Sequence, residues 1–125
     1  MKKDNLRKQF ADAYKRLQDA LGVPLTMPLA LDGTIQRFEF TFELGWKTLK
    51  AFLEDQGIVC YSPKNCLKEA FKMEWIDNED DWLSLLKARN MTSHVYSEEM
   101  ATEIYKMIKN NHNLFHALIS ELENY

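Results

Sequence analysis

The chain predicts an all-α fold, an antiparallel up-and-down bundle of four main helices plus a short helix, and three observations lead there. Apolar residues recur at spacings of three and four through most of the 125 residues, the pattern of one buried helix face. Gly22, Gly57 and the three prolines fall between those stretches, where helices begin and stop. No segment alternates apolar with polar residues over strand length, and no Gly-rich turn pattern competes.

The first helix runs from about Asp4 to Leu21, with Leu6, Phe10, Ala13, Tyr14, Leu17 and Leu21 on one face and Asp4 as its N-cap. Gly22, Pro24 and Pro28 mark a loop. In the second helix Ile35, Phe38, Phe42, Trp46, Leu49 and Leu53 repeat until Gly57 ends it. Phe40, Leu44 and Ala51 add a second apolar stripe, so this helix is central or faces both its own core and a partner. Ser62-Pro63 pairs an N-cap with proline at the first helical position and opens the short helix, which buries Leu67, Ala70 and Phe71. A break at Asp77-Asn78 leads to a helix carrying Trp82, Leu85 and Leu86, which delivers Arg89 and Asn90. Asp77, Glu79, Asp80 and Asp81 have the charge of a calcium loop but neither its turn glycine nor its terminal glutamate. At a helix N-terminus they favour the macrodipole. The last helix starts after Ser97, with Glu98 and Glu99 in its first turn, and continues through Met100, Ile104, Met107, Ile108, Phe115, Leu118 and Leu122, nearly a 4-3 repeat suited to a bundle seam.

A chain of this length fits one domain over residues 1–125, and 46% hydrophobic with 12% aromatic residues supply a core. No apolar run approaches the ~20 residues of a membrane span, and the charged opening MKKDNLRKQFADAYKRL is no secretion signal. The expected location is the cytoplasm. Cys60 and Cys66 lack zinc or redox spacing and read as reduced packing residues. His112 and His116 stand four apart with no carboxylate or thiol pattern, so neither a metal nor another cofactor is expected, and both read as exposed or internally bonded. The net charge of −3 works against unspecific nucleic-acid binding. Any RNA contact is local, and Lys64, Lys68 and Lys72, aligned at i, i+4 and i+8, are either that contact or a solvated helix face.

The stretch RNMTSHVY, Arg89 to Tyr96, gathers most of the remaining chemistry. A guanidinium can hold a phosphate, and an imidazole with an ordinary pKa of ~6.5 can move a proton at neutral pH. Such a pair can cut RNA without metal, through attack of the ribose 2′-hydroxyl on the adjacent phosphorus. On one continuous helix, however, side chains five residues apart point about 140° from each other. Arg89 and His94 therefore meet only if the helix ends near Thr92-Ser93 or if a two-fold dimer brings two copies round a shared cleft. A structural hydrogen-bond cluster is the alternative reading.

Three blocks, IQRFEFTFELGWKTLK (Ile35 to Lys50), SPKNCLKEAFK (Ser62 to Lys72) and WLSLLKARNMTSHVYSEEMATEIY (Trp82 to Tyr105), resemble the nucleotidyltransferase substrate-binding protein family of the HEPN superfamily, which includes relatives of HepT-type toxins. The resemblance extends from about residue 30 to 120 with the blocks in order. It implies a HEPN-like bundle that forms a homodimer and works with a separately encoded minimal nucleotidyltransferase. HEPN ribonucleases carry R-x4-6-H at the dimer cleft, filled here by Arg89, Asn90 and His94, and the extended R-x4-H-x-Y pattern is completed by Tyr96. By analogy the partner transfers AMP to Tyr96 and blocks the RNA cleft, a toxin–antitoxin arrangement. Packing of Tyr96 against the start of the last helix is the structural alternative. Glu39 and Glu43 can orient Arg89 or hold substrate, as Lys64, Lys68 and Lys72 can. Phe38, Phe42 and Trp46 could stack bases, although their helical period favours core or dimer seam. Three roles of different class follow: a metal-independent ribonuclease toxin, a non-catalytic binding subunit presenting substrate to the nucleotidyltransferase, and an assembly dimer.

Overall fold

A computed structural model describes residues 2–125, which form α1 (Lys2–Leu21), α2 (Ala30–Asp55), α3 (Pro63–Lys72), α4 (Glu79–Met91), α5 (Glu98–Asn111) and α6 (Asn113–Leu122), with a 3₁₀ turn over Thr92–His94 and no strand among them. The all-helical bundle expected from apolar periodicity is the architecture observed. Among the described residues no helix is long and apolar enough to cross a membrane.

α1 and α2 pack antiparallel in a register set by three fully buried threonines at seven-residue steps, Thr34, Thr41 and Thr48. Each hydroxyl donates to the carbonyl four residues back in α2, at 2.6–2.8 Å. The same hydroxyls lie 3.4, 3.2 and 3.2 Å from the α1 carbonyls of Ala20, Ala13 and Leu6. Numbers fall along α1 as they rise along α2, and each hydroxyl proton is shared between two helices. The helices approach closely at Gly45, where an added Cβ would lie 3.1 Å from the Phe10 ring.

Phe115 ties four helices together. Phe10 of α1 meets it edge-on at 5.9 Å between centroids, Trp82 of α4 does so at 5.7 Å, and Phe38 of α2 lies tilted at 6.2 Å. Edge-to-face packing suits the ring quadrupoles and adds to the apolar burial.

Local signals set several helix ends. Ser62 caps α3 by accepting from the Asn65 amide at 3.1 Å, and Ser97 caps α5 by accepting from Met100 at 3.2 Å. Gly57, at φ +81°, closes α2 with the paired bonds Gly57 N–H to Glu54 O and Ile58 N–H to Leu53 O, the Schellman arrangement. The acidic residues Glu79, Asp80 and Asp81 occupy the first turn of α4.

Four expectations need correction, and one helix start that the sequence left open is fixed. Asp4 lies inside the first turn, because α1 already begins at Lys2. α2 starts at Ala30, ahead of its first strongly apolar turn, from a left-handed Leu29 at φ 68°. The last helix is two: α5 ends at Asn111, whose side-chain amide donates to the Met107 carbonyl, in an asparagine-rich run with low helix propensity. Phe71 is 41% exposed, since the ten-residue α3 buries a narrow face of Cys66, Leu67 and Ala70. Cys60 and Cys66 are buried but joined as a disulfide, because the chain turning into the Ser62 cap brings their Cα atoms to 5.2 Å.

Candidate functional site

The geometry of RNMTSHVY follows from where α4 stops. Thr92 Oγ1 donates to the Arg89 carbonyl at 2.7 Å, satisfying one free end of the helix, and the chain tightens into the 3₁₀ turn. It then extends at Val95 until Ser97 opens α5. The helix end that the first route requires is therefore present, with His94 beyond the end of α4, but among the described residues no hydrogen bond joins His94 to Arg89.

Arg89 turns to α2. Its Nη2 donates to Glu43 Oε1, a half-buried ion pair, while Glu43 Oε2 accepts from Trp46 Nε1 at 3.1 Å and lies 3.9 Å from Lys47 Nζ. Glu43 is thus the member of the Glu39/Glu43 pair that orients the guanidinium by a charge-assisted bond. Glu39, half-buried one turn earlier, makes no hydrogen bond or ion pair among the described residues.

Asn90 and His94 instead line a cleft of about 510 Å³ together with Lys64 and Lys87, over a floor that includes Leu86 and Met100. Arg89 is not part of its wall. Tyr96 is 81% exposed, so packing against the start of α5 does not account for it, and its Oη lies 3.4 Å from His94 Nδ1. On its other side Tyr96 borders a hollow of about 590 Å³ formed with Asp32, Glu98 and the 25–29 loop. Lys68 and Lys72 lie outside the cleft on the exposed face of α3, with Lys72 bonded to Glu69 at 3.4 Å. The fold therefore brings Lys64, Asn90 and His94 together, sets Tyr96 beside His94, and fastens Arg89 to Glu43.

Sequence reasoning missed Lys87 and the Trp46 donor. Both carried a signal, since Lys87 stands three residues before Asn90 and Trp46 three after Glu43, spacings that share a helix face. Phe38 and Phe42 are core residues, not a stacking platform. His112 is internally bonded as expected: its Nδ1 lies 3.0 Å from Tyr14 Oη. Burial lowers the His112 pKa and raises that of Tyr14, so both favour their neutral forms. Among the described residues no cluster of three or more His, Cys, Asp or Glu could hold a metal ion.

The model of the family described as nucleotidyltransferase substrate binding protein like matches residues 5–124. The chain belongs to this family. It is 36% identical over 81 residues to a probable ribonuclease HepT from Haemophilus influenzae, a match spanning 61% of this chain and 56% of that protein. A solved structure from Thermus thermophilus superposes with a TM-score of 0.84 at 28% identity, covering 90% of this chain and 98% of the other. A Haemophilus influenzae structure, described as the fold of a substrate binding domain of a nucleotidyltransferase, gives 0.82 at 26% identity, covering 94% and 98%. The fold is shared too by the tri-AMPylated Shewanella oneidensis HEPN toxin in complex with its MNT antitoxin, at a TM-score of 0.80 and 15% identity over 98% of this chain and 97% of that one. The resemblance read from the three sequence blocks thus holds over nearly the whole chain.

Proposed function

We propose that this family member is the helical subunit of a two-component module with a separately encoded minimal nucleotidyltransferase, that it works as a homodimer, and that it cleaves RNA without metal until AMP is attached to Tyr96. The observation that carries this reading is the pairing of His94 with the exposed Tyr96 hydroxyl at the mouth of a cleft containing Asn90 and Lys64. In the cleavage, a base removes the ribose 2′-hydroxyl proton, the 2′-oxygen forms a bond to phosphorus, and the bond to the 5′-oxygen breaks. An acid protonates that departing oxygen. His94 serves in acid–base transfer, Arg89 clamps the phosphate and offsets its developing charge, and Asn90 orients it. In the silencing step, Tyr96 Oη bonds to the α-phosphorus of ATP, pyrophosphate leaves, and the phenol proton passes to a base. The adenylate then places bulk and negative charge beside His94.

The likeness to a probable ribonuclease HepT and to a HEPN toxin supports this reading, and the family supports the nucleotidyltransferase partner. A second reading, a non-catalytic subunit presenting substrate to the partner, draws support from the commitment of Arg89 to Glu43 outside the cleft wall. RNA cleavage in EDTA by wild type and His94→Ala, with and without prior incubation with the nucleotidyltransferase and ATP, separates the two. The expected result is a loss of about 10²–10⁴-fold in His94→Ala and suppression by the partner with an AMP-sized mass gain on Tyr96. Unmodified protein that leaves RNA intact would move the assignment to the binding subunit.

A further inference from the structure

The exposed face of α3 combines charges with bare aromatic rings. Lys64, Lys68 and Phe71 recur at steps of four and three, with Lys72 beside them, so they share one side of the helix. Tyr61, 82% exposed, stands just before the Ser62 cap, and Phe71 is 41% exposed. Exposed rings are ordinarily mobile and costly to order, but the Tyr61 backbone is held in two ways. The preceding Cys60 is disulfide-linked to Cys66, and the Tyr61 N–H donates to Asn65 Oδ1 at 3.2 Å. Among the described residues neither Lys64 nor Lys68 has a carboxylate in ion-pair reach. Lys64 also lines the cleft beside His94, so the face continues from the candidate site.

We infer that this face is the path along which single-stranded RNA enters the His94 cleft, with bases stacked on Tyr61 and Phe71 and phosphates tracked by Lys64, Lys68 and Lys72. The inference rests on the ribonuclease reading and extends it from the reacting phosphate to the strand that carries it. Aromatic rings between cations suit an unpaired strand, because every base has a stacking face and successive phosphates need charge at intervals. The run from Lys64 to Lys72 covers about 12 Å at the helical rise, enough for a few nucleotides. It also reconciles RNA binding with a net charge of −3, since three lysines against one glutamate give α3 a local excess of positive charge.

The test is fluorescence anisotropy of a labelled oligoribonucleotide on the full-length protein carrying His94→Ala, so that the strand stays intact, with circular dichroism confirming that each variant folds. Tyr61→Ala and Phe71→Ala are each expected to weaken binding about tenfold. Lys68→Ala with Lys72→Ala should reduce the slope of log affinity against log salt by about 1.4. Folded variants that bind as tightly as the parent, with an unchanged slope, would overturn the RNA path while leaving cleavage by the wild type as evidence for the ribonuclease. Variants that lose only association with the nucleotidyltransferase would overturn it in favour of a protein-docking face. Wild type that neither binds nor cuts RNA would remove both readings.

Discussion

The α1–α2 seam and the connection from Arg89 to Ser97 are built on opposite principles. At the seam the three buried polar side chains are shared: each threonine hydroxyl meets two carbonyls, and Gly45 admits the Phe10 ring. In the connection the polar groups are exposed or half-exposed, and among the described residues the His94 and Tyr96 side chains are held only by each other, at 3.4 Å. The seam gains from rigidity, because an unpaired buried hydroxyl is costly. The connection gains from access, because a proton-transfer group must reach its substrate. Substitutions in the first region should therefore change stability, and those in the second should change activity on a scaffold that still folds.

The largest effect should come from the core that serves the seam. Phe115→Ala removes the ring on which Phe10, Phe38 and Trp82 converge, and urea unfolding should show a loss of about 3–5 kcal/mol. Next is the Arg89–Glu43 pair, which joins the two regions. Glu43→Ala should lower kcat/KM for RNA about tenfold by releasing the guanidinium, yet cost less than about 1 kcal/mol of stability because the pair is partly solvated. Equal losses in both assays would show that the pair is structural. Arg89→Lys should not restore activity, since an ammonium lacks the planar fork that carboxylate and phosphate recognition uses.

A third comparison uses pH. Burial lowers the His112 pKa, so below ~6.5 the unfolded chain takes up a proton that the folded chain resists, and stability falls as pH drops toward the folded value. Burial raises the Tyr14 pKa, so its contribution is intact below ~10 and is lost as pH rises through the folded value. Urea midpoints measured across pH should flatten on the acid side in His112→Asn and on the alkaline side in Tyr14→Phe. The smallest effect is expected at Glu74, which closes α3 at φ 62° with Glu74 N–H bonded to Phe71 O and Trp75 N–H to Ala70 O. Glu74→Gly should raise stability by about 0.5–1 kcal/mol, since glycine occupies that region without a Cβ penalty.

Much of the fold was legible because helices advertise themselves locally. Ser62, Ser97 and Gly57 act at their own helix ends, and Phe10, Phe38, Phe42, Leu49 and Leu53 are all buried where their period places them. The site was legible as a set of residues but not as an arrangement. Spacing placed Asn90 and His94 near one another and offered Glu39 or Glu43 as the orienter of Arg89, yet could not choose between those two or separate Lys64 from Lys68 and Lys72. Phe71 failed because one residue is a rotation of about 100°, and on a short helix that separates buried from exposed.

By itself, then, the sequence determined the helices, their principal apolar faces and the family, all of which depend on patterns within a few turns or on blocks kept in order. Only the tertiary structure decided that Cys60 meets Cys66, that the last helix breaks at His112, that three threonines pin α1 to α2, and that Arg89 reaches across 46 residues to Glu43. The physical reason is that hydrogen bonds and ion pairs between helices depend on relative rotation and register. Those are set by how whole faces pack, with Phe115 and Gly45 among the residues that fix them, and no local pattern encodes that outcome.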